Sequence, residues 1–316
     1  MTLLLVPDAL VRRSITVEEC NEAVESGFRL AARGDVGDAY GGLSYNGDTS
    51  SIKLYASHVP RAGVGAKILG LYADNPAKGK PYIRAVVTLL DPDTGELEAL
   101  VDATYLTALR TGAATALAAR ELGRRDSRVL GILGTGLHAR THLLCHLAAH
   151  AFRRVVIWGR HPRRVEEYLT EMRSTVDVSV ESMPAADAVC AEADVIACTT
   201  SARTPLFRAE AVRAGTHIGV AAPMGSRYSE IPLELLGRSR LFVDTRKKFR
   251  EHWEPGDHPA VQAELGEVLV GSAEGRIKAE DVTIFKPEGM AFEDVVSARI
   301  VVDRVRREGS GQAVNW

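Results

Sequence analysis

The chain has 316 residues, of which 46% are hydrophobic and 25% charged, with a formal net charge of −2. That length suits two domains and that composition an ordinary soluble globular protein. The near-neutral charge gives no footprint for nucleic acid or an anionic membrane, and no apolar run reaches the roughly 20 residues that span a bilayer. The opening Met1–Pro7 is too short for a secretory apolar region and reads as a first strand. Cys20, Cys145, Cys190 and Cys198 show no metal-type or CxxC spacing, which fits reduced, buried thiols of a cytoplasmic protein.

Residues 17–34 pattern as an amphipathic helix, with Thr16 as N-cap and Gly34 near its end. Segments 51–57, 64–71 and 82–91 read as strands; Asp91–Gly95 is a turn, and 96–101 returns as a hairpin partner. Asp102 caps a helix running to about Leu122. The polar connection Gly123–Asp126 marks a domain boundary. From Arg128 strand and helix alternate, with strands near 128–133, 153–158, 177–181, 194–198, 217–222, 239–244 and 281–285. A last helix, 291–307, returns to the first domain. The fold class expected is α/β: a doubly wound parallel Rossmann sheet at 124–297, plus a second, discontinuous α+β domain built from 1–123 and 298–316.

The strand at 128–133 runs into a glycine turn, Gly134-Thr135-Gly136, followed by a helical pattern with Ala139 at the close-packing third position. Gly134 permits the tight turn, and Gly136 lets N–H groups of Leu137 and His138 approach a pyrophosphate at a helix N-terminus. The second strand ends at Arg160, with Arg163 and Arg164 one turn on, where an acid would bond a free ribose 2′-hydroxyl. An arginine suits a 2′-phosphate, so the site is expected to prefer NADP(H), with NAD(H) possible. Ligands of such sheets bind beyond the carboxyl ends of the strands, here also Thr199, Thr200 and Ala221. The threonines suit ribose or amide contacts, or cap the next helix.

Lys67 lies in an apolar strand. A buried lysine there needs a negative partner: a substrate carboxylate or a structural acid; otherwise it reaches solvent. Arg110 shares a helix face with Thr107, Thr111 and Ala114, small neighbours that let a ligand or another backbone approach. It suits a carboxylate or phosphate, or an interdomain salt bridge. His138, His142, His146 and His150 recur every four residues, but no carboxylate matches the spacing, and no metal site is expected. The basic run Arg246–Arg250 reads as a solvated turn.

Taken in order, Gly65–Lys67, Asn75-Pro76, Asp91–Gly95, Leu106–Thr111, Gly134–Gly136, Ala193–Ile196 with Thr199 and Pro205, Gly215–Ile218, Val243-Asp244, Glu264–Leu269, and Thr283–Phe285 with Gly289, Glu293 and Asp294 resemble the ornithine cyclodeaminase/mu-crystallin family over nearly the whole chain. The resemblance implies an NAD(P)-binding domain, a substrate-binding domain that also forms a homodimer, and amino or imino acid substrates. It implies that Lys67 and Arg110 hold the substrate carboxylate, with Arg110 also near the cofactor.

Two departures bear on the chemistry. The aspartate that cyclodeaminases carry after the fifth Rossmann strand falls here on Met224 or Gly225, and the arginine expected in 40–46 is missing, with Arg61 later in the chain. Glu288 stands where a small or apolar residue is commoner, and is a candidate contact for a cationic substrate group. The expectation is an NADP(H)-dependent reductase of a C=N bond, or the reverse amino-acid oxidation, with Lys67 and Arg110 as catalytic residues that orient the carboxylate and Lys67 or a water supplying the proton. The alternatives are an ornithine or lysine cyclodeaminase with tightly held NAD, and a binding protein that sequesters NADPH or a small ligand.

Overall fold

The computed structural model describes residues 2–46, 50–222 and 224–315, the side chain of Pro76 excepted. The chain begins β1 (Thr2–Val6), α1 (Asp8–Arg13), α2 (Val17–Ala32), β2 (Gly37–Tyr45), β3 (Ser50–Val59), β4 (Gly63–Tyr72), β5 (Ile83–Leu90), β6 (Leu97–Asp102) and α3 (Thr104–Leu122). It continues β7 (Val129–Leu133), α4 (Leu137–Ala149), β8 (Arg154–Trp158), α5 (Pro162–Thr175), β9 (Ser179–Ser182), α6 (Ala186–Glu192), β10 (Val195–Cys198) and β11 (His217–Val220). Then come β12 (Ser239–Val243), α7 (Arg246–Arg250), β13 (Val261–Glu264), α8 (Leu265–Leu269), β14 (Val282–Lys286), α9 (Ala291–Glu308) and β15 (Gln312–Asn315).

Two compact units emerge. Unit 1 runs to Arg110 and resumes at Gly289; unit 2 is Thr111–Glu288. The divisions therefore fall earlier than the 123/124 and 297/298 expected from the polar connection and the helix pattern. The reason lies inside α3. Past Arg110 the helix turns to small residues that belong with unit 2: Gly112 closes on the Thr141 carbonyl, where a Cβ would sit 3.0 Å away, and Thr115 lies against Gly219. A composition break marks a loop, but packing decides which unit a helix joins.

Unit 1 is a seven-stranded sheet in the order β15-β1-β6-β5-β4-β3-β2, antiparallel except for β1 with β6. Helix α9 covers one face, and α2 packs against α9. A capping box starts α2: Thr16 Oγ1 accepts from Glu19 N at 3.2 Å, and Thr16 N donates to Glu19 Oε2 at 2.8 Å. Its buried stripe is Cys20, Val24, Gly27 and Phe28, and Phe28 meets Phe292 of α9 edge-on. Along β4, Gly65, Lys67 and Leu69 point to α9, while Ala66 and Ile68 point to the other face. A Cβ on Gly65 would sit 2.7 Å from the Thr88 carbonyl and 3.0 Å from Val295, so glycine there lets α9 approach the sheet closely. Strands β2 and β15 had no clear signal in the sequence. The first is an exposed edge strand with three glycines, the second short and polar, so neither carries a buried alternation.

Unit 2 is an eight-stranded, all-parallel sheet in the order β13-β12-β14-β11-β10-β7-β8-β9. The chain steps outward from β7 through β8 to β9, then returns to the other side of β7 as β10. The topological switch point is thus between β7 and β10. The strands carry near-continuous apolar runs such as Val195–Cys198, wholly buried, as a sheet covered on both faces requires. All four cysteines are buried, and none forms a disulfide among the described residues. Among the described residues no helix is long and apolar enough to cross a membrane.

Candidate functional site

At the switch point of unit 2, Gly134 has φ +124°, and a Cβ on it would strike Thr199 Oγ1 at 2.6 Å. Glycine therefore brings the first turn against the end of β10. Thr199 Oγ1 donates to the Leu133 carbonyl at 2.8 Å, tying the same two strand ends together. Gly136 is the N-cap of α4; no side chain caps that helix, and the space beside Gly136 is open. The N–H groups at Leu137 and His138 thus begin an uncapped helix on a glycine cradle, which fits a diphosphate. Arg140 Nη1 braces the turn by donating to the Thr135 carbonyl at 2.7 Å.

Arg160 lies two residues past the end of β8, exposed, donating only weakly to His161 Nε2 at 3.4 Å and ion-paired with no carboxylate among the described residues. Arg163 is exposed and paired with Glu167 one turn on. Ala221 follows β11 and its N–H donates to the Cys198 carbonyl at 3.0 Å. Thr200 donates through its hydroxyl to Glu230 Oε2 at 2.6 Å and through its N–H at 3.1 Å, and its Oγ1 accepts from Ala202 N. Glu230 is fully buried, and burial pushes its carboxyl up to about 7, against the hydrogen bonds from Thr200. Nothing short of the fold shows that Glu230, thirty residues on, closes on Thr200.

In unit 1, four charged side chains lie buried together where β4, α3 and α9 meet. Lys67 Nζ is 2.5 Å from Asp294 Oδ2; Arg110 donates from Nε to Asp294 Oδ1 at 3.1 Å and from Nη1 to Glu293 Oε2 at 3.0 Å. Lys67 also sits 4.6 Å above the ring of Tyr55, its cross-strand neighbour on β3. Both acids come from the first turn of α9, where Glu293 Oε1 accepts from Met290 N at 2.8 Å. Of the partners open to Lys67 in the sequence, the structure supplies a structural acid. Burial, then the Arg110 charge, lowers Lys67 to about 8 in spite of Asp294. Glu293 and Asp294 stood among the segments of the family resemblance, but their meeting with Lys67 depends on the close approach at Gly65.

Of the two residues at the cyclodeaminase aspartate's position, Met224 is buried among apolar side chains and Gly225 forms a bridge with Tyr228. Glu288 is buried at the end of unit 2, and both its oxygens are engaged: Oε2 by His252 Nε2 at 3.0 Å, Oε1 by Lys286 Nζ at 3.2 Å. Its N–H donates to Asp244 Oδ2 at 2.7 Å and its carbonyl accepts from Lys248 Nζ at 3.1 Å. A cationic substrate group would have to compete with those two partners. The histidines of α4 bond along the helix, His142 Nδ1 to the His138 carbonyl and His146 Nδ1 to the His142 carbonyl, each at 2.7 Å.

The chain is similar to known proteins along nearly its whole length. The family described as the ornithine cyclodeaminase/mu-crystallin family matches residues 4–309. The chain is similar to the solved Thermococcus litoralis Δ1-pyrroline-2-carboxylate reductase in complex with NADH and L-proline, with a TM-score of 0.94 and 27% identity over 98% of this chain and 100% of that one. An archaeal alanine dehydrogenase dimer with bound NAD gives a TM-score of 0.91 at 28% identity, with both chains covered in full. The iminosuccinate reductase of Paracoccus denitrificans is 30% identical over 99% of each chain.

Proposed function

The chain belongs to the ornithine cyclodeaminase/mu-crystallin family, and from that premise we propose that it is an NAD(P)(H)-dependent cytoplasmic oxidoreductase that reduces the C=N bond of a small amino-acid-derived imine, or runs the reverse oxidation. The observation that carries this reading is the uncapped glycine turn at the switch point of unit 2. Gly134, Gly136, Leu137 and His138 would hold the diphosphate, Thr199, Thr200 and Ala221 the ribose and amide of the nicotinamide half, Arg160 and Arg163 a 2′-phosphate, and Arg110 would also lie near the cofactor. The bound nicotinamide supplies or accepts the hydride. Unit 1 is the substrate-binding and dimerisation unit. Its Lys67 and Arg110 orient the carboxylate, and Lys67, lowered to about 8, carries enough charge near neutrality for that pairing. Two relatives named for imine reduction support the substrate class. Buried Met224 tells against the cyclodeaminase reading, since a thioether moves no proton.

The test is nicotinamide absorbance against a panel of cyclic imines and of 2-keto acids with amines. NADPH is expected to be consumed faster than NADH, and Arg160→Ala to erase that difference while leaving the NADH rate unchanged. Ammonia from ornithine with no net absorbance change would return the cyclodeaminase.

The outer face of the unit 1 sheet supports a homodimer. Leu54 and Ile68 are cross-strand partners there, 51% and 46% exposed, with Leu43, 61% exposed, beside Ile52 on the same face. These large apolar side chains form a patch that a second copy would cover. Sedimentation velocity should give twice 34.1 kDa, and Leu54→Glu with Ile68→Glu should give the monomer. A wild-type monomer at micromolar concentration would refute the dimer.

A further inference from the structure

We propose that Tyr228, backed by His252 and Glu288, donates the proton to the substrate nitrogen, in place of the aspartate whose position falls on Met224 or Gly225. The proposal rests on the reading that imine reduction takes place over the carboxyl ends of the strands of unit 2. It adds to that reading the source of the proton.

The three residues come from three separate strand-end segments. Tyr228 lies on the loop after β11, His252 just after α7, and Glu288 two residues beyond β14. Tyr228 Oη lies 3.3 Å from His252 Nδ1, and His252 Nε2 lies 3.0 Å from Glu288 Oε2. The loop is fixed on that histidine: Gly225 N donates to the Tyr228 carbonyl at 2.9 Å and Ser226 N to the His252 carbonyl at 3.3 Å. Glu288 is in turn held by Lys286 and by Asp244. A buried carboxylate that accepts one ring N–H sets the tautomer and turns the other ring nitrogen to the hydroxyl. The 3.3 Å separation is long, as hydrogen bonds between catalytic groups often are without substrate. Burial, and then the Glu288 charge, raises the Tyr228 phenol, which keeps it protonated. The charged and titratable groups facing it are Arg203, 5.8 Å from its ring centroid, His252 and, behind that, Glu288 and Lys286.

The proton balance is simple. As the imine carbon takes the hydride, the C=N π pair localises on nitrogen. The Tyr228 O–H bond breaks and its proton forms the new N–H bond. Water then protonates the half-exposed imidazole at Nδ1, the Nε2–H staying on Glu288, and that Nδ1 proton passes to the phenolate. The dinucleotide is oxidised, the imine reduced, and one proton is drawn from solvent. Tyr228 is the group that meets substrate; His252 relays, and Glu288 is a positioning residue.

Tyr228→Phe is expected to lower kcat about 10²-fold at alkaline pH, with the affinity for NADPH, read by fluorescence, unchanged. The deficit should shrink as pH falls, because an imine protonated in solution needs no donor. A hydroxyl with a structural role alone would leave a deficit independent of pH. Nuclear magnetic resonance of 15N-histidine protein, assigned with His252→Gln, should show the neutral His252 ring as the Nε2–H tautomer. Full kcat in Tyr228→Phe, a pH-independent deficit, or an Nδ1–H ring overturns the relay. A wild-type protein that reduces no imine would sink the underlying reading, and the tautomer would still decide the relay geometry.

Discussion

Replacing Lys67 with alanine is expected to lower kcat/KM on the order of 10³-fold, the cost of removing one partner from a desolvated charge pair, while NADPH still binds. Lys67 is 1% exposed and lies in unit 1, whereas the glycine turn lies in unit 2, so the two functions separate cleanly. The variant should fold, because Asp294 keeps Arg110 Nε at 3.1 Å. In the wild-type protein the pH profile gives the sign. Lys67 titrates at about 8, below its ordinary 10.5, so its cationic, carboxylate-holding form is lost as pH rises through about 8. kcat/KM should fall there about tenfold per pH unit. The stability linkage runs the other way: between about 8 and 10.5 the unfolded chain binds more protons than the folded one, so the contribution of Lys67 to stability improves with pH across that window. Full activity in Lys67→Ala, or a flat profile across pH 8, would remove this lysine from the chemistry.

Asp294→Ala should have the largest effect on stability. It takes the ion-pair partner from Lys67 and one of two from Arg110, leaving a lysine charge inside unit 1 with no contacting carboxylate. Breaking a buried pair from one side costs about 3–5 kcal/mol, a third or more of the stability of an ordinary domain. The remaining charge relaxes by shedding its proton, so Lys67 should titrate even lower and the loss should ease as pH rises. Urea unfolding of the wild type and variant at neutral and alkaline pH reads both effects. A loss under about 1 kcal/mol, the size of an exposed ion pair, would mean that the network is not what holds α9 to the sheet.

Local signals in the chain already fixed a good deal. The order strand, Gly134–Gly136, helix, strand determines a doubly wound domain, because each element is set by periodicity and by glycine at one turn. Thr16 with Glu19 determines where α2 begins, and Arg160 at the end of a strand is local and needs no partner to be noticed. Lys67 and Arg110 were legible as charges in apolar surroundings, but their partner was not. Asp294 lies more than two hundred residues from Lys67, and the two meet only because glycine at 65 lets α9 settle on the sheet. The unit boundary inside α3 is equally a matter of packing: the helix is continuous, and only the neighbours of Gly112 and Thr115 assign its second half. Tyr228, His252 and Glu288 show the same division. Each is an unremarkable residue on its own loop, and only the parallel sheet, by gathering its strand ends on one edge, puts them within hydrogen-bonding reach. Periodicity and turn chemistry act over a few residues and so can be read directly; the sites are made of pairs far apart in sequence, whose distances are set by how closely whole elements pack.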